Sequence, residues 1–568
     1  SVNLSPLPVR RCLAFSQQVN KVQVDQKVTE INEYSPVWLC VFRGFRVRPL
    51  PLRMALLTPH SSLLTPTYSL LPPTYYFISP MKYPVGVQSF EKLRNEGYVY
   101  VDKTALVYKL VQEGSSYFLS RPRRFGKSIL LTTIEAYFKG QKHLFEGLAL
   151  ADLETEWKEY PVLHLDLNAE RYETIGELEN ILDAYLREWE AMYDSTEGGN
   201  SSLSIRFRSV IRAAKKKTGK NVVVLIDEYD KPILQAIGNE ALQDEFRNAL
   251  KAFYGVLKSA DADLRFTLLT GVTKFGKVSV FSDLNNLKDI SMSPHYCEIC
   301  GISEAELRGQ FDAEVGILAE QNHQSKEEAY DELRRSYDGY HFGENTTGMY
   351  NPFSVLWTLS ERKYGSYWFS TGTPTYLVEL LKKTAFHLSD LTNLEVSVED
   401  LEGIHRADIN PISVLFQSGY LTIKGYNEEF GLYILDYPNE EVRQGFVKFL
   451  LPYYVYCQQS QHATLVSKFV TSLRNGDANR FLQLMQVLMA DTPYELIREL
   501  ENHYQNVMYI ITKLIGFYIQ AEYRTSRGRI DLLIGTDKYV YIIELKFDGS
   551  AEEALAQINA KDYALPFA

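Results

Sequence analysis

The stretch Ser116-Tyr-Phe-Leu-Ser-Arg-Pro-Arg-Arg-Phe-Gly126-Lys127-Ser128 decides the fold of this 568-residue chain. An apolar run leads into a basic loop that ends in Gly-Lys-Ser, and a helical pattern follows from Lys127 to Phe138. Backbone N–H groups at such a strand-to-helix turn, together with one cation, are suited to holding phosphate. The pattern therefore predicts a nucleotide phosphate site with ATP as its ligand.

The residues of this loop have distinct predicted tasks. Gly126 lets the backbone approach the ligand, Lys127 supplies a cation for the β and γ phosphates, and the hydroxyl of Ser128 is a predicted Mg²⁺ ligand. The predicted nucleotide contacts are Arg124, Phe125, Gly126, Lys127, Ser128 and Thr270. The usual motif is G-x-x-x-x-G-K-[ST], and Arg121 occupies its first glycine position. The pattern alone therefore leaves an exposed basic turn as the alternative.

A predicted acidic pair follows a second apolar strand. Residues 222–226 form a β-branched run typical of a buried parallel strand, and Asp227 and Glu228 come directly after it. Asp227 is predicted to hold Mg²⁺ through water, and Glu228 to orient or deprotonate the attacking water. Thr270, at the end of a later strand, is a candidate sensor of the γ-phosphate. The alternatives are two acids that cap a strand towards solvent, and a threonine at the edge of the core.

The order of elements predicts an α/β fold. Strands alternate with long helices up to about residue 271, which indicates a parallel P-loop sheet with helices on both faces. Residues 99–104 are predicted to form a strand before the phosphate loop. Beyond residue 300 the pattern becomes mainly helical. Residues 1–80 are rich in Pro and Leu without periodicity, so we expect an irregular extension and a native start at Met81, with a genuine disordered or targeting tail as the alternative.

Composition limits the class of protein. The net charge of −11 argues against a surface that binds nucleic acid everywhere, although a local basic groove remains compatible with it. Five cysteines are too few for a disulfide framework, and the pair Cys297 and Cys300 has no second ligand pair nearby. No apolar run reaches the roughly 18 residues that a membrane helix needs. We therefore expect a cytoplasmic protein with no membrane partner.

A second predicted site lies near the C-terminal end. Asp531 and the pair Glu544 and Lys546 belong to two predicted strands of one hairpin, and alternation puts the pair on one face. Asp531 and Glu544 are predicted metal ligands, and with Lys546 they form a predicted catalytic set for phosphodiester cleavage. Glu501 and Gln557, on the flanking helices, are candidate supporting residues. The alternative is an ordinary hairpin with surface charges.

These motifs together resemble the bacterial AAA-ATPase-like family that carries a C-terminal PD-(D/E)XK nuclease domain. The resemblance runs from about residue 81 to the end of the chain, with the motifs in order. The matching stretches include Gly97-Tyr-Val-Tyr-Val-Asp-Lys-Thr, Phe118-Leu-Ser-Arg-Pro-Arg-Arg-Phe-Gly-Lys-Ser, Leu225-Ile-Asp-Glu-Tyr-Asp230, Leu269-Thr-Gly-Val-Thr-Lys-Phe, and Gly528-Arg-Ile-Asp531 with Ile543-Glu-Leu-Lys546.

The resemblance implies both the site residues and the domains. It implies that Arg121 is normal in this family's loop and therefore does not count against ATP binding. It implies phosphate, metal and acidic roles for Lys127, Ser128, Asp227 and Glu228, and nuclease roles for Asp531, Glu544 and Lys546. The expected domains are an extension at 1–80, a P-loop domain at 81–300, a helical middle region at 301–440, and a nuclease-like fold at 441–568. We expect the last to be truncated, because such domains usually continue after the helix of Gln557.

The functional hypothesis is a Mg²⁺-dependent ATPase coupled to a metal-dependent nuclease that acts on DNA or RNA. One alternative is a nucleotide-dependent regulatory switch whose C-terminal domain only binds nucleic acid or protein. Another is a working ATPase fused to an inactive nuclease. Arg123 and Arg124 could contact phosphate in their own chain, serve a neighbouring subunit of a homo-oligomer, or face solvent.

Overall fold

The computed structural model describes residues 11–16, 29–30, 81–168, 170–196, 201–274, 286–369, 375–384, 386–391, 393–402, 410–454, 462–490, 500–516, 520–523, 532–546, 556 and 560. The strands are β1 Arg11–Ser16, β2 Thr29–Glu30, β3 Ser116–Ser120, β4 Val162–Asp166, β5 Val222–Asp227, β6 Leu264–Gly271, β7 Lys288–Asp289, β8 Ile302–Ser303, β9 Met349–Tyr350, β10 Leu394–Val396, β11 Thr422–Asn427, β12 Leu432–Asp436, β13 Gln520–Tyr523, β14 Leu532–Gly535 and β15 Val540–Lys546.

The helices follow the same numbering along the chain. They are α1 Phe90–Asn95, α2 Thr104–Glu113, α3 Lys127–Phe138, α4 Ala149–Leu153, α5 Ile175–Tyr193, α6 Leu203–Thr218, α7 Lys231–Gln235, α8 Glu240–Ser259, α9 Glu304–Gln321, α10 Lys326–Tyr337, α11 Pro352–Glu361, α12 Thr375–Lys383, α13 Val398–Glu402, α14 Pro411–Gln417, α15 Glu440–Tyr454, α16 His462–Arg474, α17 Ala478–Ala490 and α18 Leu500–Gly516.

A parallel five-stranded sheet forms the centre of the N-terminal half. Its strand order is β4-β5-β6-β3-β7, and every neighbouring pair is parallel. All residues of β5 are buried, because helices cover a parallel sheet on both faces. The predicted α/β class is confirmed. Since β6 lies between β3 and β5, the carboxyl ends of these three strands meet at one edge of the sheet.

The predicted strand at residues 99–104 is absent, although its alternating pattern has a structural cause. Val99 and Val101 pack against an apolar cluster formed by α9, α10 and α11, whereas Tyr100 packs against the core of the parallel sheet. The segment thus lies between two cores, and at its start the Val99 N–H donates to the Lys82 carbonyl at 2.9 Å in an isolated β-bridge that does not extend into a strand pair. Asp102 ends it, because its carboxylate accepts hydrogen bonds from the Thr104 N–H at 2.8 Å and from the Thr104 hydroxyl at 2.7 Å.

The middle of the chain contains more strand than the sequence predicts. Helices α9, α10 and α11 share an apolar cluster that includes Leu307, Phe311 and Leu333. A short antiparallel pair, β8 and β9, flanks this cluster. Farther along the chain, β10, β12 and β11 form a three-stranded antiparallel sheet, with a register irregularity between Ile423 and Gly425. β8, β9 and β10 have only two or three residues, too few for a strand pattern to be recognised, whereas β11 and β12 have six and five residues and were missed by the sequence prediction.

The C-terminal region contains the predicted hairpin. β13 pairs with β14 and β14 with β15, both in antiparallel fashion, and Leu532 is the partner of Ile543. On its other edge β15 pairs in parallel with β1, and β2 pairs with β1. These two strands fall within the segment where we expected no regular element. Among the described residues, no helix is both long enough and apolar enough to cross a membrane.

Candidate functional site

The phosphate loop connects β3 to α3, as predicted. Gly126, the residue before α3, has a φ of 93°, a left-handed conformation that a glycine adopts without strain. Arg124 also has a positive φ, of 67°, which is uncommon for a residue with a side chain. Two such residues within three positions turn the chain sharply between strand and helix. The turn brings the carbonyls of Arg121 and Pro122 to the amine of Lys127.

Lys127 connects the loop to the acidic end of β5. Its Nζ donates hydrogen bonds to the carbonyls of Arg121 and Pro122 at 3.1 and 3.3 Å. The same amine forms an ion pair with Glu228 Oε1 at 3.3 Å. Lys127 is 4% exposed, so its charge is held by these partners rather than by bulk water.

Two strands and helix α3 contribute to a cluster around the buried carboxylate of Asp227. Asp227 Oδ2 accepts a hydrogen bond from the Ser128 hydroxyl at 2.5 Å, and Oδ1 accepts one from the Thr270 hydroxyl at 2.6 Å. Asp227 is 2% exposed, and Thr270 is fully buried. The contacts follow from the strand order, because β6 places Thr270 beside the end of β5. A hydroxyl and a carboxylate are hard oxygen donors, so Ser128 and Asp227 fit Mg²⁺.

Glu228 stands at a sharp backbone turn beside this cluster. Its φ is 51°, a left-handed value that directs the chain away from the sheet directly after β5. The backbone N–H of Glu228 donates to Asp227 Oδ1 at 3.0 Å. Its carboxylate is near Lys127 and lines the adjoining cavity. The acidic pair therefore faces the phosphate loop and does not simply cap a strand towards solvent.

A cavity of about 480 Å³ opens beside the loop. The walls are residues 84–88, 99–101 and 123–130, together with Lys103, Asn168, Glu228, Lys231, Phe353 and others of the middle region. Its size is within the usual range for a small-molecule or cofactor site. The polar end contains Lys127, Ser128 and Glu228, and the opposite walls contain apolar residues of both cores. Such a cavity can accept a nucleotide with its phosphates on the loop.

Arg121 has a structural role that explains the departure from the usual motif. Its guanidinium donates to the carbonyls of Ser120, Ser291 and Tyr296 at 2.9, 2.7 and 3.1 Å. It also stacks on the Phe342 ring at 3.9 Å. Burial lowers the pKa of Arg121 to about 10. A glycine could not make these bonds, so this position ties the segment after β7 to the loop.

The remaining loop residues divide between the cavity and the protein interior. Arg124 is exposed and lines the cavity, with its guanidinium 5.0 Å from the centre of the Phe353 ring. Phe125 is 1% exposed, and its ring packs edge-on against Tyr340 and Phe342. This aromatic packing holds the Phe125 ring in the interior and therefore limits the contact that Phe125 is predicted to make with a nucleotide. Arg124 remains the loop side chain most available to a ligand besides Lys127.

Asp230 is a site residue to which the sequence analysis assigned no role. It is fully buried, and its carboxylate accepts hydrogen bonds from the Val272 N–H at 3.2 Å and from the Thr273 N–H and hydroxyl at 2.6 Å. Burial, followed by the nearby charge of Glu228, raises the pKa of Asp230 to about 6. Asp230 therefore fastens the turn after β5 to the end of β6. Its occurrence in the motif Leu225-Ile-Asp-Glu-Tyr-Asp230 was the available signal.

The C-terminal candidates are only partly described. Glu544 and Lys546 lie two positions apart on β15. Their side chains lie outside the described residues, as does that of Glu501 on α18. Asp531 and Gln557 lie entirely outside them. Within the described part of the chain, no group of three or more His, Cys, Asp or Glu is arranged to hold a metal ion.

Two family models match separate parts of the chain. A model described as a predicted AAA-ATPase matches residues 84–281, and a PD-(D/E)XK nuclease superfamily model matches residues 499–568. A protein of Azotobacter chroococcum mcd 1, described as an uncharacterized protein in the vnfD 5′ region, is 36% identical over 498 residues. That match covers 85% of this chain and 93% of the relative. The chain therefore belongs to the family of predicted AAA-ATPases with a C-terminal domain of the PD-(D/E)XK nuclease superfamily.

Proposed function

We propose that this protein is a Mg²⁺-dependent ATPase whose nucleotide cycle controls a metal-dependent nuclease acting on DNA or RNA. The observation that carries the first part is the arrangement around Asp227, where Ser128, Thr270 and Glu228 converge next to Lys127. Phosphate binding needs a cation and a loop, and hydrolysis needs an acid near the attacking water. The cation Lys127 and the acid Glu228 line one cavity.

The residues divide the proposed reaction between them. The main chain of the loop and the amine of Lys127 bind the β and γ phosphates and stabilise the charge that develops as the γ-phosphate leaves. Ser128 and Asp227 would hold Mg²⁺, which supplies further charge neutralisation when bound. Glu228 orients the attacking water and accepts its proton. Thr270 fixes the Asp227 carboxylate, and its position at the end of β6 also suits contact with the γ-phosphate.

The proposed nuclease site rests on Asp531, Glu544 and Lys546. Support comes from the superfamily match at residues 499–568 and from the spacing of Glu544 and Lys546, which lie two positions apart on β15. Two carboxylates would hold the metal, and the lysine would position the water that attacks the phosphodiester. DNA and RNA are both substrates to be tested.

One experiment tests the coupled activity. Purified full-length protein is assayed for ATP hydrolysis with and without single-stranded and duplex DNA and RNA, and for cleavage with Mg²⁺ or Mn²⁺. We expect a nucleic acid to stimulate hydrolysis, and ATP to change the rate of cleavage. Absence of turnover and of cleavage under all these conditions would contradict the proposal.

A nucleotide switch is the second candidate function. The ion pair between Lys127 and Glu228 favours it, because a carboxylate that neutralises the loop cation is not free to accept a proton from water. A switch would bind ATP with little turnover and would change its oligomeric state or its partner binding with nucleotide. Nucleotide-dependent sedimentation without hydrolysis would favour this candidate over the enzyme.

A further inference from the structure

The phosphate loop has a second face that is covered by the middle region. The indole N–H of Trp368 donates a hydrogen bond to the main-chain carbonyl of Arg123 at 3.1 Å. Gly419, with a φ of 86°, packs so closely on Pro122 that an added Cβ would lie 2.7 Å from its ring. Together with the packed Phe125 ring, these contacts fix the position of the loop on this side. A displacement of the loop must therefore shift residues of the middle region.

Glu441 joins this covering to the wall of the cavity. On the first turn of α15, its Oε1 accepts from the Trp368 backbone N–H at 2.8 Å and its Oε2 from the Ser354 hydroxyl at 2.7 Å. Ser354 is in the first turn of α11, next to Pro352 and Phe353, which line the cavity. Glu441 is 5% exposed, so water is poorly placed to replace either donor. One buried carboxyl thus links two segments that touch the nucleotide site.

Helix α15 leads from this carboxyl to the C-terminal region. Gly445 on α15 packs directly on the Phe369 ring, where a Cβ would clash. The helix also packs along α18, which packs on β13 of the C-terminal sheet. Tyr437, just before α15, contacts Tyr509 of α18 through its side chain. Residues in contact therefore connect the loop to the nuclease-like sheet.

We propose that Trp368 and Glu441 form a relay through which helix α15 responds to nucleotide bound at the phosphate loop. The inference rests on the proposed function, because it concerns the regulation of the same ATP site. Phosphates that engage the loop amides select one loop position, and the hydrogen bond to the Arg123 carbonyl conveys that position to Trp368. Glu441 conveys it from Trp368 to α15. Both act as positioning residues, since neither is among the residues that line the cavity.

The chemistry of Glu441 suggests an informative set of variants. Burial raises the pKa of Glu441 to about 7, so the carboxyl is readily uncharged near neutral pH. A glutamine can reproduce the uncharged form, since its carbonyl accepts from the Trp368 N–H and its amide donates to the Ser354 oxygen. Alanine retains neither bond. At the other end of the relay, Trp368→Phe keeps an aromatic ring and removes the indole donor.

The test uses the full-length chain and two readouts. Calorimetry gives the Kd for ATP with Mg²⁺, and amide hydrogen exchange compares Glu440–Tyr454 with and without ATP. We expect Trp368→Phe and Glu441→Ala to raise the Kd roughly fivefold, the effect of one or two neutral hydrogen bonds. In both variants ATP should no longer slow exchange in α15, although the loop itself remains protected. Glu441→Gln should retain the wild-type behaviour in both readouts.

A matched control separates the relay from a general loss of packing. Tyr330→Phe removes a hydrogen bond of 3.0 Å to Asp312 from a buried tyrosine in the α9–α11 cluster and touches neither the loop nor α15 by that bond. It should change neither readout. The relay is overturned if Trp368→Phe binds ATP and protects α15 as wild type does, or if Tyr330→Phe causes the same losses. If Glu441→Ala does not fold, Trp368→Phe decides the question.

The failure of the relay and the failure of the proposed function give different results. A wild-type protein that binds no ATP contradicts the proposed function itself. A wild-type protein that binds ATP, while exchange in α15 does not respond, contradicts the relay alone.

Discussion

Two regions of this molecule contain acids and a lysine of a predicted site, and the two sets are arranged by opposite means. At the end of β5, Asp227 and Glu228 meet Lys127, which comes from a distant part of the chain, because parallel strands end at one edge of a sheet. On β15, Glu544 and Lys546 lie two positions apart, so alternation along one strand predicts that they share a face. The first arrangement depends on the whole fold and is buried, so changes there should alter binding and stability. The second is local, so changes there should alter chemistry alone.

Loss of the loop cation should have the largest effect. Lys127→Ala removes the charge that faces the β and γ phosphates and leaves Glu228 without its ion-pair partner. We expect ATP hydrolysis to fall about a thousandfold and the response of cleavage to ATP to vanish. The exposed lysine at 216 supplies the control, since Lys216→Ala should hydrolyse ATP normally. Normal turnover by Lys127→Ala would remove the basis of the ATPase assignment.

A change in the hairpin of β14 and β15 should affect cleavage without affecting ATP binding at the edge of the parallel sheet. Asp531→Asn is expected to lower nucleic-acid cleavage at least about a hundredfold, because a metal ligand is weakened, while the Kd for ATP stays the same. Asp537 lies exposed in the turn of the same hairpin, so Asp537→Asn is the matched control. Cleavage is followed on labelled oligonucleotides with Mg²⁺ and with Mn²⁺. Equal cleavage by both variants would mean that the hairpin is not the nuclease site.

Glu228 should separate binding from hydrolysis within the first region. Glu228→Gln retains the shape of the side chain and loses the base, so hydrolysis should fall about a hundredfold while ATP still binds. Calorimetry and steady-state turnover give the two quantities. Turnover close to wild type would show that Glu228 is not the catalytic base. The ion pair between Glu228 and Lys127 could then no longer explain slow hydrolysis by a nucleotide switch.

The burial of the sheet edge predicts a pH dependence of the free energy of unfolding. The pKa of Asp230 is raised from 3.8 to about 6 in the folded protein, so the unfolded chain loses this proton first as pH rises. Asp230 therefore lowers the free energy of unfolding between about pH 4 and pH 6, by up to roughly 3 kcal/mol.

Denaturant titrations across this pH range measure the effect. In Glu228→Gln one source of the raised pKa of Asp230 is gone, so the loss of stability should begin at the same pH, end at a lower pH and be smaller in total. An unchanged pH profile in Glu228→Gln would show that the two acids do not interact.

The smallest expected effect concerns the hydrogen bond by which Thr270 on β6 holds the Asp227 carboxylate. Thr270→Val removes a buried hydrogen bond of 2.6 Å and should lower hydrolysis about fivefold. Thr267, on the same strand, is a close control, because its buried hydroxyl has no hydrogen-bond partner among the described residues. Thr267→Val should retain activity. If both variants lose activity equally, the loss comes from packing of β6 and not from the Asp227 contact.

The sequence predicted the elements of the parallel sheet well, because each carries its own local pattern. Helix α3 begins at Lys127 and β6 covers Leu264–Gly271, as the periodicity indicates. The meeting of Ser128, Asp227 and Thr270 also followed from the rule that parallel strands end together. Features that depend on the local sequence pattern or on sheet topology could therefore be predicted from the sequence.

Contacts between distant segments could not be predicted in the same way. The guanidinium of Arg121 bonds to carbonyls at Ser291 and Tyr296, and nothing in the loop sequence indicates those partners. The alternation at residues 99–104 resembles a strand, yet it reflects two cores on either side of a segment that forms no strand. Trp368 and Glu441 acquire their roles only when the middle region closes over the loop.

Calorimetry of ATP binding to the folded full-length chain in the presence of Mg²⁺ decides whether the loop at Gly126 binds phosphate. We expect a saturable heat with one nucleotide bound per chain, and its loss in Lys127→Ala. No heat from well-folded wild-type protein, or the same heat from Lys127→Ala, would contradict the assignment of the loop at Gly126 as a phosphate site.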